Sequence, residues 1–596
     1  MKTLLALFVV ISGLLRSLPI CAAAAADSEK PAELKQLFAD EWEYELRESP
    51  ETATSIGDYR YNDRWSDSSL KHIQQQKHDL QQWLAKFRAF DAAGLKEQDQ
   101  LSLQLMVRNL KERIEGIDLK TYEMPVDQFN GVQLELAQFP AIVPADSTKH
   151  YQDYLARLRA LPEVIDQTIE ILKQGKEDKL MPPKFLLEKT VDQCKSIAGP
   201  AGEANPFAEP VKKFPDAVPE ADRKRLRDGI LAAIDNNVRP AYTKLANFIA
   251  TDYAPYGRSE PGIGTLPGGD ALYRYYIRLL TTTNMDPAEI HEVGLKEVVR
   301  IEAEQLAIAK ELGFSDLKAF RASLKDNPKA HAASAEQILE KYRHYIDQMR
   351  PELPKLFGLL PKTPVEVREM QAFRAKEAAG ADYQPGTPDS SRPGVVWVNT
   401  SDYQNRDMLS AESTAYHEGI PGHHMQLSIA QGLTDLPAFR RFGFNSAYGE
   451  GWALYAERLG KDVGFYQDPY SDYGRLNDEI WRADRLVIDT GVHYKHWTRQ
   501  QMVDYFHEHS SAAESDIQAE VDRYIAWPAQ ALSYKLGQLE ILKLREQAQK
   551  ELGARYDIRA FHDEILDGGS LPMDVMDARV TVWIRSQRPV EASAAH

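Results

Sequence analysis

The sequence predicts a mainly α-helical protein of two lobes with a deep cleft, plus one small β-sheet near residues 364–400. Three observations predict it. Apolar residues recur at three- and four-residue spacing through most of the chain. The 596 residues, about 570 after the processing argued below, exceed what one small core organises. The stretch from Pro364 to Thr400 abandons helical spacing for alternation. A composition of 43% hydrophobic and 27% charged residues, with Trp and Tyr spread along the length, excludes disorder for the bulk of the chain.

The N-terminus places Lys2 before an apolar run from Leu4 to Leu15, followed by small residues ending near Ala26. This is the pattern of a secretory signal peptide over residues 1–26. The run is too short to span a bilayer and Arg16 interrupts it, so no membrane span is expected after cleavage. Cys21 offers a lesser route, lipoprotein processing, but Ile20 directly before it suits that processing poorly. Cleavage near Ala26 leaves Cys194 as the sole cysteine, so no internal disulfide can form. The net charge of −17 becomes more negative without Lys2 and Arg16, and no basic block is present, which argues against a nucleic-acid partner. An acidic, exported protein, periplasmic or secreted, is expected.

From Asp27 to about Val191, segments such as LKQLFADEWEYEL and HYQDYLARLRALPEVIDQTIEILKQG read as amphipathic helices. Two Pro/Gly-rich stretches, IAGPAGEANPFAEP and YAPYGRSEPGIGTLPGG, read as loops, with helical text between them. They suggest an N-terminal helical lobe over residues 27–260 and a second lobe over 261–596. A long helix starts at Asp286 as N-cap, with Pro287 at the first helical position and Glu289 three residues after the cap. His291 within it reads as an ordinary surface or core histidine. VEVREM and GVVWVN then supply the strands of the small sheet, and the text is helical again from Ser410.

The stretch HEGIPGHH, residues 417–424, holds three histidines where about 0.2 are expected from 15 in 596 residues. A catalytic zinc site needs three protein ligands and an open position. Helical HExxH supplies two imidazoles one turn apart, but that motif is absent. On a continuous helix His423 would lie about 120° from His417, and His424 about 10 Å along the axis, so neither could share a metal with it. Pro421 removes a helical hydrogen bond and clashes with the carbonyl of residue 417, so the helix should bulge or break. A break can return a later histidine to His417, and spacing leaves open which one. Downstream, Glu450 and Glu457 lie seven residues apart on one helix face, so one can ligate while the other supports a ligand. Trp452, Leu454, Tyr455 and Leu459 indicate that their helix is buried, where unpaired carboxylates are costly.

HEGIPGHH, EGWALYAERLG, RYIAWPAQALSYKLG and TTTNMDPAEIHEVGLKEV, taken in chain order over at least residues 260–540, resemble the bacterial family known as domain of unknown function 885. That family in turn resembles helical zinc metallopeptidases such as angiotensin-converting enzyme, neurolysin-like oligopeptidases and Taq-type carboxypeptidases, which use HExGH followed by a helix bearing a glutamate ligand. Gly422-His423 matches the Gly-His of that motif, with two extra residues after Glu418. The resemblance implies one zinc per chain held by His417, His423 and Glu450, with His424 as the alternative imidazole. It also implies Glu418 as general base and Glu457 as the support of a ligating histidine.

For the oxyanion, the resemblance points to a late tyrosine or histidine, here Tyr534 or, second, His493. An exopeptidase also needs a cation for a terminal carboxylate, and Arg482, Arg485, Arg523 and Lys535 are candidates. GVVWVN could hold a substrate backbone by strand addition. The expected function is a zinc-dependent hydrolase, most simply a peptidase of carboxypeptidase, dipeptidase or oligopeptidase type, acting on a peptide or small amide. The alternatives are an inactive peptidase-like binding protein, a zinc hydrolase of non-peptide amides or esters, and a protein whose histidines are structural. Oligomeric state has no signature in the sequence.

Overall fold

The computed structural model describes residues 20–375 and 378–588. The apolar run of the expected leader, residues 4–15, lies outside them. Among the described residues the chain is mainly helical with one three-stranded sheet, as its periodicity predicts. Among the described residues no helix is long and apolar enough to cross a membrane.

Long helices over Thr148–Glu177 and Lys184–Ala198 enclose a core of Leu158, Leu161, Ile165, Leu187 and Tyr242. Cys194 lies buried and unpaired in this core, and burial pushes its thiol up to about 12. The two Pro/Gly-rich stretches fold as short 3-10 turns, with a four-residue helical turn at Glu209–Lys212. A second large core, around Tyr416, Trp452, Tyr455 and Phe561, holds the C-terminal half together. A smaller cluster packs Leu186 against Ile488, Val492 and Tyr524.

Helix α1 (Pro287–Glu311) begins as predicted: the Asp286 side chain accepts a hydrogen bond from the Ala288 N–H. His291 is a core histidine. Its Nδ1 meets the Thr490 hydroxyl at 2.8 Å, and burial pushes its pKa down.

Strands β1 (Val365–Glu369), β2 (Ala381–Gln384) and β3 (Gly394–Val398) form a sheet in the order β1-β3-β2. β3 runs parallel to β1 and antiparallel to β2. This corrects the expectation for GVVWVN, which is β3. Val395, Val396 and Val398 are buried, and both strand edges are already hydrogen-bonded, so β3 has no edge to offer a substrate. The outer edge on that side belongs to β2.

After the sheet come α2 (Ala411–Glu418), α3 (His423–Gly432), α4 (Ser446–Asp462), α5 (Pro469–His493), α6 (Glu514–Ala526) and α7 (Ser533–Leu552). α5 packs along α1, and α4 crosses α7 at Gly451 and Gly537. Residues of α4, α5 and α7 line one large cavity.

Candidate metal centre

The helical text of HEGIPGHH breaks where Pro421 requires it. α2 ends at Glu418 and α3 begins at His423. Between them the Gly422 N–H donates to the Tyr416 carbonyl at 2.9 Å, turning the chain back on itself. Only glycine fits there, because a Cβ on Gly422 would lie 2.0 Å from the His417 carbonyl oxygen. The Trp452 indole N–H donates to the Pro421 carbonyl at 2.9 Å and fastens the turn to α4.

The fold brings His417, His423 and Glu450 together, with one ligand atom from each within 4.8 Å of the others. Glu450 Oε2 lies 3.2 Å from His423 Nε2 and 3.6 Å from His417 Nε2. Tetrahedral zinc with ligand bonds of about 2.0–2.2 Å has neighbouring ligand atoms roughly 3.4 Å apart, so the donor set fits in type and spacing. Glu450 Oε2 is buried and receives no hydrogen bond from any described residue. Glu457 Oε1 meets His417 Nδ1 at 2.8 Å, which commits that nitrogen and leaves Nε2 for the cluster.

The electrostatics favour a positive charge at the centre. Burial disfavours a charged His417, but Glu450 and Glu457 outweigh it and hold the imidazole up at about 10. Burial would raise the Glu450 carboxyl, yet His423 and His417 hold it well below the usual carboxylate range. Burial pushes Glu418 above its ordinary value, against the pull of His417 and His423. Burial also raises Glu457, opposed by the His417 hydrogen bond and the Arg482 charge.

His424 stands outside the cluster. Its Nδ1 meets the Tyr383 hydroxyl of β2 at 2.9 Å, and burial pushes its pKa down to about 4. The doublet therefore divides its contacts, His423 toward Glu450 and His424 toward the sheet.

His417, Glu418, His423, Glu450, Arg482 and Tyr534 all line one cavity of about 1130 Å³. The Tyr534 ring lies nearly parallel to that of His417, with centroids 6.2 Å apart. Its hydroxyl oxygen accepts from Arg523 Nη2 at 2.9 Å and from Gln530 Nε2 at 3.3 Å. A phenol oxygen has two acceptor sites, so its own proton is left free to donate. Arg485 covers the Tyr534 ring at 4.4 Å, and Glu520 bridges Arg485 and Arg523 at 2.8 and 3.2 Å. These two arginines are thus engaged in holding Tyr534. Arg482 Nη1 pairs with Asp478 Oδ1 at 3.0 Å, and 14% of its side chain stays accessible on the cavity wall.

Two candidates are corrected. His493 is a buried core residue off the cavity wall. Its Nδ1 accepts from the Ile263 N–H at 3.1 Å, its Nε2 donates to the Tyr524 carbonyl at 2.9 Å, and burial pushes its pKa down to about 3. No ring nitrogen is left for an oxyanion. Lys535 is fully buried off the cavity wall, its ammonium shared by Glu297, Glu479 and Gln538 at 2.8–2.9 Å, so its three donors are used.

Glu520, Gln530 and Tyr383 were not identified from the sequence. Gln530 precedes Tyr534 by four residues and Glu520 precedes Arg523 by three, spacings that signal helical neighbours. Tyr383 meets His424 through tertiary structure alone and leaves no local signal.

Similar folds are found among solved structures. A "putative lipoprotein" from Colwellia psychrerythraea is 29% identical, with a TM-score of 0.88 over 94% of this chain and 100% of that one. A "putative lipoprotein of unknown function" from Shewanella oneidensis is 18% identical, with a TM-score of 0.66 over 92% of this chain and 98% of that one, and shows the fold alone. No curated protein matches. The profile of the family described as "Bacterial protein of unknown function (DUF885)" matches residues 50–580. With nearly the whole chain matched, the protein belongs to the bacterial family DUF885.

Proposed function

We propose that the protein is an exported zinc-dependent hydrolase of amide bonds, most simply a peptidase. The observation that carries this reading is the convergence of His417, His423 and Glu450 on one point of the cavity wall beside Glu418. Export rests on the leader pattern of residues 1–26, and the 29% identical structure from Colwellia psychrerythraea is described as a "putative lipoprotein".

His417 Nε2, His423 Nε2 and Glu450 Oε2 would hold the zinc, and Glu457 fixes the ring of His417 through Nδ1. When bound, zinc supplies Lewis-acid polarisation of a carbonyl and lowers the pKa of water to about 7. Glu418, one residue after a ligand and on the cavity wall, takes a proton on its carboxylate and returns it to the leaving amine. The free O–H of Tyr534 donates to the carbonyl oxygen as negative charge develops there. The outer edge of β2, beside the cavity-lining residues Gly380, Asp382 and Tyr383, supplies backbone groups for an extended substrate. Arg482, more accessible on the cavity wall than Arg485 or Arg523, is our candidate for a terminal carboxylate.

The test is metal content together with turnover. The mature protein should carry one zinc per chain and cleave short peptides, and Glu418→Gln should keep the zinc while losing turnover. Zinc without cleavage of any peptide would leave a binding protein, while cleavage of simple amides or esters alone would move the substrate class. No zinc uptake, even when zinc is supplied, would end the hydrolase reading.

A further inference from the structure

The two imidazoles of the cluster have different neighbours in the cavity wall. The His417 ring faces Tyr534, which Arg485, Arg523 and Glu520 hold, with the rings of Phe129 and Trp527 next to Arg523 on the same wall. The His423 side carries Phe444 and Leu427, the latter one helical turn after His423 on α3. Phe444 is 49% exposed although it lies in a cavity wall, with its ring centroid 6.4 Å from that of His423. Five large hydrophobic residues are exposed among the described residues, and of these only Phe444 lines the cavity.

The ring is held in place by the first turn of α4. It lies against Gly449, where a Cβ would be 2.2 Å from Phe444 Cε2 and 2.4 Å from Cζ. Any other residue at 449 would push the ring away from its place beside the cluster. The glycine directly before Glu450 thus sets an apolar surface next to a proposed metal ligand. An exposed aromatic face in a concave wall loses water favourably when an apolar group covers it.

We infer that Phe444, with Leu427, forms a specificity subsite for a bulky apolar side chain on the substrate residue beside the scissile amide. This inference rests on the hydrolase reading for the position of that amide. The subsite then places the apolar side chain on the His423 side of the cluster.

The test is calorimetric binding to the zinc-loaded Glu418→Gln protein. The probes are tripeptides of alanine carrying Phe, Leu, Ser or Asp at each position in turn. At one position Phe and Leu should bind about tenfold more tightly than Ser, as expected for an apolar pocket. Adding Phe444→Ser should reduce that difference to within twofold, and adding Phe444→Leu should keep most of it. The same discrimination in the Phe444→Ser protein, or no discrimination at any position, overturns the subsite. Binding with the expected preference, but no cleavage of these peptides by the wild type, supports the subsite and counts against the hydrolase reading. Cleavage without any side-chain preference does the reverse.

Discussion

Gly451 and Gly537 touch where α4 crosses α7: a Cβ on Gly451 would lie 2.4 Å from the Gly537 Cα, and one on Gly537 would lie 1.9 Å from the Ala447 carbonyl oxygen. The crossing brings the helix of Glu450 against the helix of Tyr534 with no side chain between them. It thereby sets the distance between a proposed metal ligand and the proposed oxyanion donor.

Gly537→Ala should therefore cost about 1–3 kcal/mol through overpacking, even though alanine favours a helix by about 1 kcal/mol. Urea unfolding should show a lower midpoint than wild type. Gly432→Ala, at the last position of α3 with nothing within 4 Å of the added Cβ, should unfold at or slightly above the wild-type midpoint. Equal midpoints for both variants would refute the close crossing.

The contacts of His424 and Glu457 separate two kinds of support. Glu457→Gln weakens the partner of His417 Nδ1 and should reduce zinc affinity about 10- to 100-fold, read by competition with a chelator. His424→Phe should leave zinc affinity within a few-fold of wild type, since that ring turns to Tyr383. Loss of zinc from the His424 variant alone would show that the doublet is used the other way round.

Tyr534→Phe removes the free donor and keeps the ring over His417. A fall of about 10²–10³ in kcat with KM nearly unchanged is expected for an oxyanion donor. His493→Gln should lower stability while leaving kcat near the wild-type value, because both ring nitrogens of His493 are tied to backbone. A large kcat effect at 493 and none at 534 would reverse the assignment.

Asp489, fully buried in α5, accepts from the Tyr273 hydroxyl and the Ala529 N–H, and burial pushes its carboxyl up to about 7. A carboxyl raised on folding contributes stability that is complete below the unfolded value near 4 and is lost as pH rises to about 7. Asp489→Asn keeps an acceptor without the charge. Relative to wild type it should gain stability from pH 4 to pH 8, on the order of a few kcal/mol. Thermal unfolding at both pH values measures this, and an unchanged difference would show that Asp489 does not titrate on folding.

Much of the fold was legible because its causes are local. Periodicity and the Asp286-Pro287 start determined α1, alternation located the sheet, and Pro421 determined that the helix breaks between His417 and His423. The residues of the centre were also legible as a set, since HEGIPGHH and the Glu450/Glu457 pair stand out from the composition. Tertiary structure decided what each of them meets. His423 and His424 are adjacent and chemically identical, and only the angle at which α3 leaves the turn directs one to Glu450 and the other to Tyr383. GVVWVN was readable as a strand, but whether its edges are free depends on two partners distant in sequence. His493 and Lys535 were plausible by type and position, yet backbone and carboxylates from other helices occupy all their polar atoms. Local sequence specifies backbone conformation through short-range sterics and hydrogen bonding, whereas the partner of a side chain depends on which distant surfaces pack against it.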